Sequence, residues 1–239
     1  MRAAAEPLTP ESVPGSHQSV LADSYYAADG TLTPAVGPPD PDHPTLSEAL
    51  HPGGNATYVR LGKDVGPAKV RDTAVASGLL PQSMAKADAE FPVGTSTPSA
   101  IRMATAYGTF ASGGTRHDPY SVTKVVKDGE ALPGLTPPAA GRALDPEVAR
   151  EVTEALHAGA RGFGPGVSAG RTGDQDRLRT AWFTGFTKDL STAVTLFRLR
   201  PDEPRLLPLS GTGGDKSERG NTLPPRIWGA YTGLGPKEG

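Results

Sequence analysis

What most constrains the fold of this chain is a run towards its C-terminal end: Ser168-Ala169-Gly170-Arg171-Thr172-Gly173-Asp174, then Ala181-Trp182-Phe183-Thr184-Gly185-Phe186, then Thr192 to Leu199. β-branched and aromatic residues fill the two later segments, and Lys188-Asp189 supplies a polar turn between them. The pattern predicts two adjacent antiparallel strands, with Arg171 to Gly173 on a strand beside them. A cation, a hydroxyl and a glycine in succession suit an exposed strand that can receive an extended peptide. Arg-Thr-Gly alone is a tripeptide that many chains contain by chance, so it marks a cleft only in the company of other motifs.

The 239 residues can bury a sizeable core, and one large domain fits them best. With 30 Gly and 25 Pro the chain is rich in loops, and its helices should be of modest length. Lys and Arg number 24 against 26 Asp and Glu, with no basic block to follow a phosphate backbone, so nucleic acid is not an expected partner. The absence of cysteine excludes disulfides, thiolate metal sites and a cysteine nucleophile. Histidines 17, 43, 51, 117 and 157 lack metal-ligand spacing, and neither a metal nor another cofactor is expected. No apolar run reaches the roughly 18 residues that a membrane span requires, and the amino terminus has no signal-like apolar core.

Residues 1–44 are rich in Pro, Gly, Ser, Asp and Ala and are expected to be poorly ordered; residues 45–239 are expected to form the domain. Thr45 and Glu48 have the spacing of a capping box for a short helix from Leu46 to about His51. Pro52-Gly53-Gly54 breaks it, and Asn55 can cap a second helix with Tyr58, Val59 and Leu61 on its apolar side. A third helix starts at Pro67, turns Val70, Ala74 and Val75 inward and stops at Gly78. Thr97-Pro98 opens a fourth, with Ile101, Ala104, Tyr107 and Phe110 on a broad face and Gly113-Gly114 at its end. Ser121 to Val126 alternates like a strand leading into an Asp128-Gly129 hairpin turn. Asp145-Pro146-Glu147 starts a helix whose Val148, Val152 and Leu156 share a face, ending at Gly162. Trp228, after Pro224-Pro225, should pack a terminal helix.

In this order the segments Thr45 to Leu50, Asn55 to Leu61, Ala106 to Gly114, Ala169 to Gly173 and Ala181 to Phe186 resemble the transpeptidase domain of penicillin-binding proteins, above all the bifunctional peptidoglycan synthases. The resemblance runs from about Thr45 to Trp228. It implies an α/β fold of the α+β type, an antiparallel sheet flanked by helices as in the serine β-lactamases. It also implies serine acyl transfer, in which a serine at a helix start attacks the bond between two terminal D-alanines and a lysine one turn later takes its proton. A serine-x-asparagine loop and a lysine-threonine-glycine strand complete such a site.

Three departures bear on what carries over. Arg171 stands where the family has lysine; Thr172 and Gly173 are retained. Arginine still offers a cation to a carboxylate, in bidentate geometry, although Asp174 adds a negative charge close by. The serine position of the second motif falls on Gly53, so Asn55, a substrate-amide ligand or a plain helix cap, remains without the hydroxyl that passes a proton to the leaving amine. Pro14-Gly15-Ser16 matches the lead-in to the nucleophile, but the residue three further on is Ser19 rather than lysine. Neighbouring His17 does not face Ser16 on a helix. Two literal serine-x-x-lysine strings, Ser83 to Lys86 and Ser121 to Lys124, read as chance: the first follows Asn55 instead of preceding it, and the second lies in the expected strand.

The resemblance therefore implies a domain of cell-wall synthesis that binds D-Ala-D-Ala stem peptides or β-lactams through Asn55, Arg171, Thr172 and Gly173, with Ser16 as candidate nucleophile and catalysis impaired. An active D,D-transpeptidase with variant motifs and a fragment of a bifunctional synthase are the alternatives. Other cell-wall synthesis proteins are further candidate partners, and the expected location is the extracytoplasmic face of the membrane if the chain is part of a longer one.

Overall fold

The computed structural model describes residues 24–26, 32–34, 55–89, 91–134, 136–157, 168–173, 180–209 and 223–234. Its centre is an antiparallel sheet made in chain order by β7 (Ser168–Gly173), β8 (Thr180–Phe186), β9 (Ser191–Arg200) and β10 (Glu203–Leu207). The strands stand in the order β10-β9-β8-β7, so β7 is an edge. The β8–β9 turn is closed by Thr187, whose amide donates to the carbonyl of Leu190 at 2.8 Å and whose hydroxyl accepts from the Leu190 amide at 3.1 Å. The strands and turn expected from the sequence are thus present.

Burial along β8 is nearly continuous: Ala181, Phe183, Thr184 and Phe186 are all buried. A strand covered on one face only would alternate, so helices must cover both. Phe183 and Phe186, three residues apart, belong to opposite faces and seed separate clusters. On one side helix α5 (Leu223–Thr232) sets Trp228 edge-on to Phe183, with ring centroids 5.5 Å apart, and Val194 and Leu234 pack around them. The Trp228 Nε1 donates to the carbonyl of Thr192 at 3.2 Å, which satisfies the only polar atom of an otherwise apolar ring.

On the other side lie α3 (Ala100–Ala111) and α4 (Pro146–His157). Phe186 meets Leu156 and Val152 of α4 and Tyr107, Phe110 and Ala111 of α3. The Ser191 hydroxyl ties β9 to α3 by donating to the carbonyl of Ala104 at 2.7 Å. Helix α4 starts where expected, with the Asp145 carboxylate accepting from the Glu147 amide at 2.9 Å, and its face of Val148, Val152 and Leu156 turns inward. Its expected stop at Gly162 lies outside the described residues.

The face of α3 agrees with expectation at Tyr107 and Phe110, which pack on Phe186, and departs from it at its start. Ile101 is exposed, and the buried line runs through Thr105, Ala106 and Thr109. The threonines pass as core residues because their hydroxyls find acceptors: Thr105 donates to the carbonyl of Ile101 at 2.8 Å and Thr109 to that of Ser77 at 2.9 Å. The helix also begins at Ala100 with Ser99 before it, later than Thr97-Pro98 suggests. Past its end Gly114 has φ 88°, and its carbonyl accepts from the amides of Ala143 and Leu144. A Cβ there would overlap the carbonyl oxygen of Leu144. Gly114→Ala should therefore cost about 1–3 kcal/mol for the backbone conformation alone, seen as a lower urea midpoint; an unchanged midpoint would contradict this packing.

Helices α1 (Asn55–Val65) and α2 (Pro67–Ala76) lie away from the sheet. Helix α1 buries Val59 and packs on α2 and on the 3-10 turn Phe91–Val93. No residue of α2 is fully buried, so Val70, Ala74 and Val75, expected inward, are only half-covered by this peripheral packing. Three short strand pairs complete the description. They are β1 (Ser24–Tyr26) with β2 (Leu32–Pro34), β3 (Thr115–Arg116) with β6 (Gly141–Arg142), and β4 (Val126–Lys127) with β5 (Glu130–Ala131). Asp128 and Gly129, with φ 53° and 87°, form the hairpin turn expected between β4 and β5, but Ser121 to Val125 is an irregular loop rather than a strand. The capping-box helix from Leu46 lies outside the described residues.

Candidate active site

The candidate site is built on β7. Pairing with β8 sets Arg171 opposite Thr184, Thr172 opposite Phe183 and Gly173 opposite Trp182 in regular antiparallel register, after an irregularity between Ser168 and Gly170. Because positions alternate across a strand, 171 and 173 belong to the face that carries Thr184 and Trp182, and 172 to the face of Phe183. The first is also the face on which α3 and α4 pack around Phe186. Among the described residues β7 pairs with β8 on one side only, the arrangement of an edge strand that can take another extended chain, and helix α4 packs against it. This edge holds the Arg171, Thr172 and Gly173 predicted as ligand-binding residues.

Asn55 is the first residue of α1, on the helix predicted for it. Ser16, Gly53 and Asp174 lie outside the described residues. Neither literal serine-x-x-lysine string forms a catalytic turn. Ser83 ends the 3-10 turn Pro81–Ser83 and donates its hydroxyl to the carbonyl of Leu80 at 2.8 Å; extended backbone follows at Met84, and Lys86 is exposed. Ser121 and Lys124 are both exposed in a loop, which corrects the strand expected there while leaving the string without a helix to align it. Among the described residues no group of three His, Asp or Glu side chains could hold a metal ion, and no helix is long and apolar enough to cross a membrane.

The penicillin binding protein transpeptidase domain matches residues 37–219. The chain belongs to that family. Penicillin-binding protein 1A of Mycobacterium tuberculosis is 31% identical over 213 residues, 77% of this chain and 25% of the relative. That of Neisseria cinerea is 27% identical over 208 residues, 82% of this chain and 25% of the relative. The chain thus spans about a quarter of the length of these curated relatives. The PonA1 protein of Mycobacterium tuberculosis, solved in complex with penicillin V, superposes with a TM-score of 0.68 at 26% identity over 95% of this chain and 67% of that one. Penicillin-binding protein A of the same organism, solved as an imipenem acyl-enzyme, does so with a TM-score of 0.63 at 21% identity over 97% of this chain and 57% of that one, a likeness of fold. The mixed fold with its antiparallel sheet and flanking helices is that of the penicillin-binding protein transpeptidases.

Register sets a further residue beside Gly173 that local sequence could not single out. Trp182 stands opposite Gly173, and that neighbour follows only from how β7 and β8 pair.

Proposed function

We propose that this transpeptidase-like domain binds D-Ala-D-Ala stem peptides or β-lactams along the free edge of β7 and acylates slowly or not at all. The observation that carries the reading is the place of Arg171-Thr172-Gly173: a cation and a hydroxyl next to a glycine, on the edge strand of a sheet belonging to this family. Arg171 supplies a fixed positive charge and a donor fork for the ligand carboxylate. Gly173 lets the ligand backbone come close, and Asn55 is the proposed partner of the ligand amide. The relative solved with penicillin V supports β-lactams as the ligand class. The place of action is the extracytoplasmic face of the membrane, with cell-wall synthesis proteins as partners.

Binding is tested by fluorescence anisotropy of a fluorescent penicillin under native conditions, with unlabelled penicillin and a D-Ala-D-Ala peptide as competitors. Saturable binding is expected. Arg171→Ala should weaken it about ten- to a hundredfold, the worth of a hydrogen bond to a charged group, and Asn55→Ala should weaken it less. Binding that is absent in the unaltered chain, or indifferent to Arg171→Ala, would overturn the reading.

A further inference from the structure

The face that carries positions 171 and 173 continues inward beyond the edge strand. Gly173 pairs with Trp182 and Trp182 with Thr195, so the three stand in one row across β7, β8 and β9 on one face. The next row out pairs Thr180 with Phe197, which is 54% exposed. Trp182 is half-buried and belongs to neither of the clusters around Phe183 and Phe186. It is four residues from Phe186, about 13 Å at the usual strand rise. Beside it the Thr195 Oγ1 is buried and has no hydrogen-bond partner, although it can both donate and accept.

We propose that Trp182, with Thr195 and Phe197 next to it, is the wall that selects the acyl side chain of a ligand held on β7, favouring an aromatic or long apolar acylamino group over a small one. The inference rests on the reading that the ligand lies along β7. Glycine at 173 has no side chain to stand between that edge and the indole, and paired residues in neighbouring strands are only about 4.5–5.5 Å apart. A flat apolar ring of the ligand would cover the indole. The same row explains why a tryptophan is left half-buried in a sheet whose other large aromatics on β8 are fully covered.

The test compares benzylpenicillin, which has a phenylacetyl side chain, with 6-aminopenicillanic acid, which has none, as competitors of a fluorescent penicillin on the whole chain. The unaltered chain should prefer benzylpenicillin. Trp182→Leu should lose about three- to tenfold of that preference, the scale of one aromatic contact, while keeping its affinity for 6-aminopenicillanic acid; Trp182→Phe should keep most of it. A preference unchanged in Trp182→Leu would overturn the inference. Should Trp182→Leu fail to fold, the unaltered chain still decides through its own emission. It has two tryptophans and Trp228 is fully buried, so a ligand-dependent change reports Trp182. A shift or quench with benzylpenicillin that 6-aminopenicillanic acid does not produce supports the wall, and equal effects from both overturn it. If neither compound displaces the probe, the ligand reading of β7 falls and takes this inference with it; if both displace it equally, only the wall falls.

Discussion

Trp228→Ala is expected to lower the unfolding free energy by about 3–5 kcal/mol, the range for emptying a buried aromatic site. Trp228 is fully buried and is the main apolar contact of α5 with the sheet, edge-on to Phe183 and bonded to the carbonyl of Thr192. The site has little freedom to collapse, because its floor is the β8–β9 pair, whose seven register partners fix the backbone from Thr180 to Phe186. Loss of the indole would also leave that carbonyl with one partner fewer. Ile227→Ala, one residue away but 43% exposed, should cost no more than about 1 kcal/mol, as surface changes do. Urea unfolding of both variants at equal slope checks the pair. A loss for Trp228→Ala no larger than for Ile227→Ala would mean that α5 does not close this face of the sheet.

The sheet was legible because its residues announce it locally: a β-branched and aromatic run, a polar turn and a second such run. The start of α4 and the packing of Trp228 were legible for similar reasons, an aspartate-proline start and a lone large ring in a short apolar helix. What escaped depends on distant partners. Thr105 and Thr109 do not look like core residues until a carbonyl 32 positions away accepts from Thr109. The β3–β6 pair joins two-residue strands with no periodicity to read. Strand β10 carries Pro204, ordinarily a strand breaker, and tolerates it because an edge strand has amides that need no ladder partner. At the candidate site the Arg-Thr-Gly strand could be read directly, whereas the row Gly173, Trp182, Thr195 exists only in the register.

Acylation is expected to be slowed by about 10² to 10⁴ relative to a family member with intact motifs, the usual worth of general-base assistance. Opening a β-lactam requires a bond from a serine oxygen to the lactam carbonyl carbon, cleavage of the carbon–nitrogen bond, and transfer of the hydroxyl proton towards the departing nitrogen. Lysine is absent from the position three after Ser16, where Ser19 stands, and the hydroxyl of the second motif is replaced by Gly53. On the proposed reading the proton then lacks the family's acceptor and relay, and the literal serine-x-x-lysine strings do not compensate: the Ser83 hydroxyl is spent on the Leu80 carbonyl, and Ser121 sits in an exposed loop. Carboxylate binding needs neither group. On the proposed reading Arg171 retains a ligand that is never covalently captured.

The most direct measurement is therefore a time course of fluorescent penicillin bound to this chain, read twice at each point, once by native anisotropy and once on a denaturing gel. The expected result is saturable native binding with little or no label surviving denaturation, and loss in Ser16→Ala of whatever trace survives. Rapid stoichiometric label on the denaturing gel would contradict impaired catalysis, and label that persists in Ser16→Ala would place the nucleophile at another serine.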